Sequence, residues 1–119
     1  ADPRFNMTAK HADLYVQFRS GTDVALLNAM MHVILTEGLE DKEFIASRTK
    51  GFDALKEEVI KCPPEWAEPI TGVPAAQIRE MARLYASNKP SSIIYSMGVT
   101  QHSTGTDNVL SVSNLANRQ

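Results

Sequence analysis

Cysteine is nearly absent. Cys62 stands alone, so no disulfide can form within the chain and it is not a disulfide-stapled secreted scaffold. Charge of one sign is also lacking. Twelve Lys and Arg face 14 Asp and Glu for a formal net charge of −2, which leaves no electrostatic footprint for nucleic acid or an anionic membrane surface. The longest apolar run, residues 24–35, is interrupted by Asn28 and His32 and falls short of the roughly 20 residues that span a bilayer. The first residues, Ala1-Asp2-Pro3-Arg4, carry neither an apolar signal region nor an initiator Met. The expectation is therefore a cytoplasmic chain, without direct membrane contact, whose natural start lies elsewhere. No repeat or low-complexity tract occurs. At 43% hydrophobic and 22% charged, the 119 residues exclude wholesale disorder and fit one domain or a piece of one.

Hydrophobic periodicity organises the rest. Leu14, Val16 and Phe18 alternate with Tyr15 and Gln17, the period of a strand with one buried face. Thr22 and Asp23 follow as helix-start residues, and a helix almost apolar all round runs to about Glu37, where Gly38 stops it. Three shorter helices are predicted at residues 40–48, burying Phe44 and Ile45, at 52–62, and at 64–68, the last ended by Pro69. Residues 71–74 read as a loop. Pro74 opens a strongly amphipathic helix to about Ser87, with Ile78, Met81, Ala82 and Tyr85 on one face. Residues 92–97 read as a second strand ended by Gly98. A polar loop then leads to Thr106-Asp107 and a last helix from about Asn108. The predicted class is α/β: a helix-rich, three-layer, dinucleotide-fold-like partial domain with few strands, the remaining strands lying outside the chain. Each strand passes through a Gly-Thr-Asp turn region into a helix, the sheet edge at which α/β folds bind ligands.

Several chemistries are weighed on spacing alone. His11, His32 and His102 lie far apart, and none has a Cys or second His three or four residues away, so no protein-ligated metal is expected. His32, on a buried helix, reads as a hydrogen-bonded core residue. Cys62 has no Cys-x-x-Cys or nucleophile-elbow context and reads as an inert thiol. The loop between Gly98 and Asp107 follows a strand and precedes a helix, but lacks the Lys and glycine spacing of a nucleotide-triphosphate loop. Its donors Thr100, Gln101, Ser103 and Thr104 leave two readings open: a site for an anion or a polar cofactor edge, or an ordinary loop with a helix cap. Asp2 and Asp23 are open in the same way. Each is an acceptor-only carboxylate suited to ribose hydroxyls or a base edge, or merely a terminal residue and a helix cap.

Taken in order, Asp2-Pro3-Arg4, Thr8-Ala9, Ala12-Asp13, the run from Gly21-Thr22-Asp23 to Met30, Phe44 to Thr49, Ile70 to Pro74, Tyr95 to His102 and Asn114-Leu115-Ala116 resemble the molybdopterin-dependent oxidoreductases. Within that family the chain is most similar to the catalytic alpha subunit of formate dehydrogenase. The resemblance implies a subunit several times longer, holding two molybdopterin guanine dinucleotides around one molybdenum or tungsten, with an iron–sulfur cluster nearby. Residues 1–119 would then be a single segment of a molybdopterin guanine dinucleotide-binding α/β domain. Carried over position by position, the implied cofactor-binding residues are Asp2, Arg4, Gly21, Asp23, Met97, Gly98 and Gln101. Asp2 and Asp23 would accept hydrogen bonds from ribose or guanine, Gly98 would admit close backbone approach, and Gln101 would bond a polar edge of the cofactor.

Departures from the family pattern bound the implication. No cysteine cluster for an iron–sulfur centre is present, and nothing matches the selenocysteine or cysteine metal ligand or its neighbouring catalytic His. His102 is not that residue. Ala1 replaces the end of an apolar strand, and Ala116-Asn117-Arg118-Gln119 leaves the pattern. The expected function is thus the cofactor-binding part of a formate dehydrogenase-like enzyme. The isolated segment is expected to be inactive, to hold no cofactor of its own and to supply no catalytic residue or metal ligand. Expected partners are the remaining domains of the large subunit and the electron-transfer subunits, with no nucleic acid; an isolated segment is expected to pair as a homodimer. The alternative is a self-contained, helix-rich protein-interaction module that uses an exposed apolar face of the 24–35 helix.

Overall fold

The computed structural model describes residues 1–117; Arg118 and Gln119 of the departing terminus lie outside the described residues. Eight helices occur among them: α1 (Met7–Lys10), α2 (Asp23–Thr36), α3 (Lys42–Arg48), α4 (Phe52–Ile60), α5 (Pro64–Thr71), α6 (Ala75–Ser87), α7 (Met97–Thr100) and α8 (Gly105–Ala116). The apolar α2 is the axis of the molecule. Its Leu26, Ala29, Met30, Met31, Val33 and Ile34 are buried, and α4, α5, α6 and α8 pack around it. From α6 come Ile78 and Ala82, from α4 Val59, from α5 Ala67 and from α8 Leu115. A helix that is apolar nearly all round can be stable only if neighbours cover it on several sides, and here four do.

The α/β, three-layer expectation is overturned, because no strand or sheet forms among the described residues. Residues 14–18 are extended, and Val16 and Phe18 do point into the core as their alternation requires. Their backbone pairs elsewhere: the Asp2 N–H donates to the Val16 carbonyl at 3.1 Å, and the Arg19 N–H donates to the Thr71 carbonyl at 2.8 Å. Residues 92–96 are extended too, with Ile93 against the core and Ile94 95% exposed. Period-two alternation reports one buried face, and a single extended chain lying on helices satisfies it as well as a sheet does.

Other boundaries shift for local reasons. Helix α5 runs through Pro69 to Thr71, so residue 71 is helical rather than loop. Its end is held by Gly72 in the left-handed conformation (φ 75°), by the Thr71 hydroxyl donating to the Ala67 carbonyl at 2.9 Å, and by the Arg19 guanidinium donating to the Pro69 carbonyl at 2.6 Å. Helix α3 starts at Lys42 because the Asp41 carboxylate accepts from the Phe44 N–H at 2.9 Å. That register buries Ile45 and leaves Phe44 exposed, against expectation. Helix α1, which no hydrophobic periodicity marks, is capped by Asn6, whose side chain accepts from the Ala9 N–H at 2.8 Å. The predicted loop at 99–105 is largely α7 and its turn, and α8 begins three residues early.

Candidate functional site

Both extended segments deliver the chain to one place. The turn at residues 19–22 feeds α2, and Ser96 feeds α7. Between these two entries and the first nine residues opens a cleft of about 780 Å³, lined by Asp2, Ser20, Asp23, Ser96, Gly98 and His102 among others. That volume lies within the roughly 300–1,000 Å³ usual for small-molecule sites. The cleft thus unites the two turn regions singled out in the sequence, without a sheet edge to carry them.

Asp23 is the most telling residue. It is 7% exposed, lines the cleft, and its carboxylate bonds to no other described residue. It caps nothing: Thr22 occupies the N-cap position, and the Thr22 hydroxyl donates to the Arg19 carbonyl at 2.6 Å. The first turn of a helix offers positive potential to a carboxylate, and the Asp23 oxygens are not sealed: the one sealed, unpartnered side-chain oxygen among the described residues is Glu40 Oε2, so Asp23 keeps its acceptor capacity open to the cleft.

Asp2 is placed differently. Its carboxylate accepts from the Arg4 N–H at 2.7 Å and from the Asn6 amide at 3.1 Å, and its carbonyl accepts from the Tyr15 hydroxyl at 3.0 Å. These bonds fold residues 2–6 over the mouth of the cleft and leave further acceptor capacity on the carboxylate. Burial, aided by the Asp2 charge, pushes the Tyr15 hydroxyl pKa up, which keeps it a donor. The Phe5 ring packs edge-on against Tyr15, centroids 5.2 Å apart.

On the opposite wall, a Cβ added at Gly98 would meet nothing within 4 Å. The protein's own packing does not demand glycine here, although Gly98 lines the cleft. The Gly98 carbonyl accepts from His102 Nε2 at 2.9 Å, which places that imidazole proton in the wall. The other implied residues do not line the cleft. Gly21 (φ 83°) shapes the turn into α2. Met97 is exposed, and the Gln101 amide lies 3.4 Å from its sulfur. Arg4 sits in a neighbouring shallow recess with Phe5, Met7 and Lys10. Of the donors considered in the 98–107 loop, none of Thr100, Gln101, Ser103 and Thr104 lines the cleft. Ser20, Ser96 and His102, which do line it, were not selected from sequence; their signal was position immediately before or after the two turns.

An acceptor carboxylate without a protein partner, a glycine in the facing wall and hydroxyls on both sides fit the donor-bearing edge of a polar ligand. No group of three or more His, Cys, Asp or Glu side chains that could hold a metal occurs among the described residues. His32 donates from Nδ1 to the Val59 carbonyl at 3.1 Å, tying α2 to α4. Burial raises the Cys62 thiol pKa, which keeps the thiol protonated.

The molybdopterin oxidoreductase family model matches residues 1–119. The chain belongs to the molybdopterin oxidoreductase family. It is 50% identical over 115 residues to the F420-dependent formate dehydrogenase 1 subunit alpha of Methanococcus maripaludis, a match covering 97% of this chain and 17% of that protein. Formate dehydrogenase H of Escherichia coli is 48% identical over 115 residues, covering 97% and 16%. Among solved structures, acetylene hydratase from Pelobacter acetylenicus superposes with a TM-score of 0.94 at 34% identity, over 98% of this chain and 16% of that one. This molybdopterin oxidoreductase segment therefore spans about one-sixth of the length of the relatives it matches, and its all-helical arrangement is shared with one of them. No helix among its described residues is long and apolar enough to cross a membrane.

Proposed function

We propose that this segment is cofactor-holding scaffold in the alpha subunit of a formate dehydrogenase, working in the cytoplasm, where formate becomes carbon dioxide and two electrons pass on to partner subunits. The cofactor is molybdopterin guanine dinucleotide with molybdenum or tungsten, alongside an iron–sulfur cluster held elsewhere in the subunit. When bound, the metal and its pterin supply the redox chemistry; this chain supplies binding and orientation. Asp23 accepts from the N–H edge of guanine, whose two donors suit two carboxylate oxygens. Asp2 and its folded-over turn meet the ribose, and Gly98 admits the cofactor close to the backbone. Arg4, Gly21, Met97 and Gln101 are proposed as rim residues outside the cleft proper.

The Asp23 carboxylate, which lines the cleft and has no partner among the described residues, carries this reading. A second support is the breadth of the relatives. Proteins named for formate oxidation and for acetylene hydration share this segment, as expected if it serves a common cofactor rather than one substrate. The test is Asp23→Asn in the full-length subunit. Guanine nucleotide released by acid per folded polypeptide should fall about tenfold or more, the order expected for a lost hydrogen bond to a charged group. Retention at the wild-type level would reject the assignment.

A further inference from the structure

Asn108 has no role in the reading above, yet it is the polar side chain most completely sealed in the structure after Thr71, at 2% exposed. It sits in the first turn of α8, and its side-chain amide reaches back to donate to the Val99 carbonyl at 2.9 Å. Val99 is the residue after Gly98, and both line the cleft. Helix α7, which carries them, is a single turn with no buried residue and no side-chain cap. Such a short helix has little stability of its own, so its position depends on what holds it. Besides the His102 ring on Gly98, α8 packs against it, and two features of that packing are specific. One is the Asn108 amide. The other is the close approach of Gly105 to the Thr100 carbonyl, which leaves no room for a Cβ.

We infer that Asn108 is a positioning residue for the nucleotide cleft. Its buried amide fixes the Gly98–Val99 wall at the distance a bound guanine nucleotide requires, without touching the ligand. A buried Asn making one directed bond to a backbone carbonyl is costly in a helix built only for packing, since an apolar side chain would fill the same space without desolvating an amide. The bond ties the start of α8 to Val99 in that wall. This inference rests on the nucleotide reading of the cleft.

The experiment uses the full-length subunit, purified with its cofactor, with Asn108→Leu and Asn108→Ser as separate variants. Leu115→Ala, equally buried on α8 but facing the core, is the control for simple destabilisation. Guanine nucleotide released per folded polypeptide is measured beside the unfolding midpoint. The Asn108 variants should retain about tenfold less nucleotide, the order set by one lost hydrogen bond. Leu115→Ala should lower the midpoint and leave retention per folded chain unchanged. Asn108 variants that hold nucleotide as the wild type does, or that follow Leu115→Ala, overturn the inference. Failure of both Asn108 variants to fold, where Leu115→Ala folds, overturns it too, because Asn108 is then a core residue. Asp23→Asn run in parallel separates the two ideas. If it loses nucleotide and the Asn108 variants do not, only the positioning role fails; if it loses none, the nucleotide reading itself fails.

Discussion

Gly105 shows how a single position can outweigh a general propensity. At the start of a helix, replacing Gly by Ala ordinarily stabilises by up to about 1 kcal/mol. Here the added methyl would collide with the Thr100 carbonyl, a backbone atom that cannot rotate away. Overpacking of that kind costs about 1–3 kcal/mol, so the collision wins. Gly105→Ala should lower the unfolding midpoint of the domain in the full-length subunit; an unchanged or raised midpoint would show that α7 yields freely. At this scale the sequence was partly legible. Asp23 and Gly98 were reached through the family resemblance, carried over position by position; the residues alone left Asp23 open between a helix cap and a base-edge acceptor. Asn108 did not stand out. Its inward direction depends on α8 starting at Gly105, and that start depends on a contact with Thr100 that no local pattern records.

Among the elements, the long helices were readable from apolar spacing and stop signals: α2 from its nearly all-round apolar surface closed by Gly38, and α6 from Ile78, Met81, Ala82 and Tyr85. The two extended segments were misassigned because alternation specifies which side chains go inward and says nothing about what the backbone pairs with. Helices α2 and α6 are further tied at their ends by Arg83, which donates from Nε to both Glu37 carboxylate oxygens at 3.0 Å. The Arg83 hydrogen bonds hold the Glu37 carboxyl below its ordinary pKa, and the Arg79 bond does the same for Glu65 between α6 and α5. A carboxyl with a lowered folded-state pKa stabilises fully above the ordinary Glu value of about 4.3 and loses that contribution as pH falls through the lowered value. Arg83→Met should therefore be less stable than wild type at neutral pH, the difference shrinking as pH falls below the ordinary carboxylate range and closing once Glu37 is protonated in the wild type too. Denaturant titrations at pH 7 and pH 3 measure it, and a gap that does not narrow at pH 3 would assign the loss to packing of the Arg83 stem instead. Both groups are solvent-exposed, so the effect is small and weakens with salt.

As a whole, the segment presents apolar side chains to solvent at Phe5, Met7, Ile94, Met97 and Leu110, while its matched relatives are about six times longer. The isolated 119-residue chain is expected to self-associate and to bind a hydrophobic dye, checked by sedimentation and dye fluorescence; a monomer that ignores the dye would count against surfaces meant for further polypeptide. It is also expected to show no formate-dependent dye reduction. The cleft has one more consequence. One of its walls comes from residues 1–23 and the other from residues 94–102, so the intervening stretch of about seventy residues contributes no surface to it. The exposed turn at residues 49–51, between α3 and α4, could be cut, or lengthened by an insertion, without altering either wall. Two polypeptides joined only by the packing of α2 against α4, α5, α6 and α8 should still rebuild the site between them, which makes that turn the natural place to split the gene.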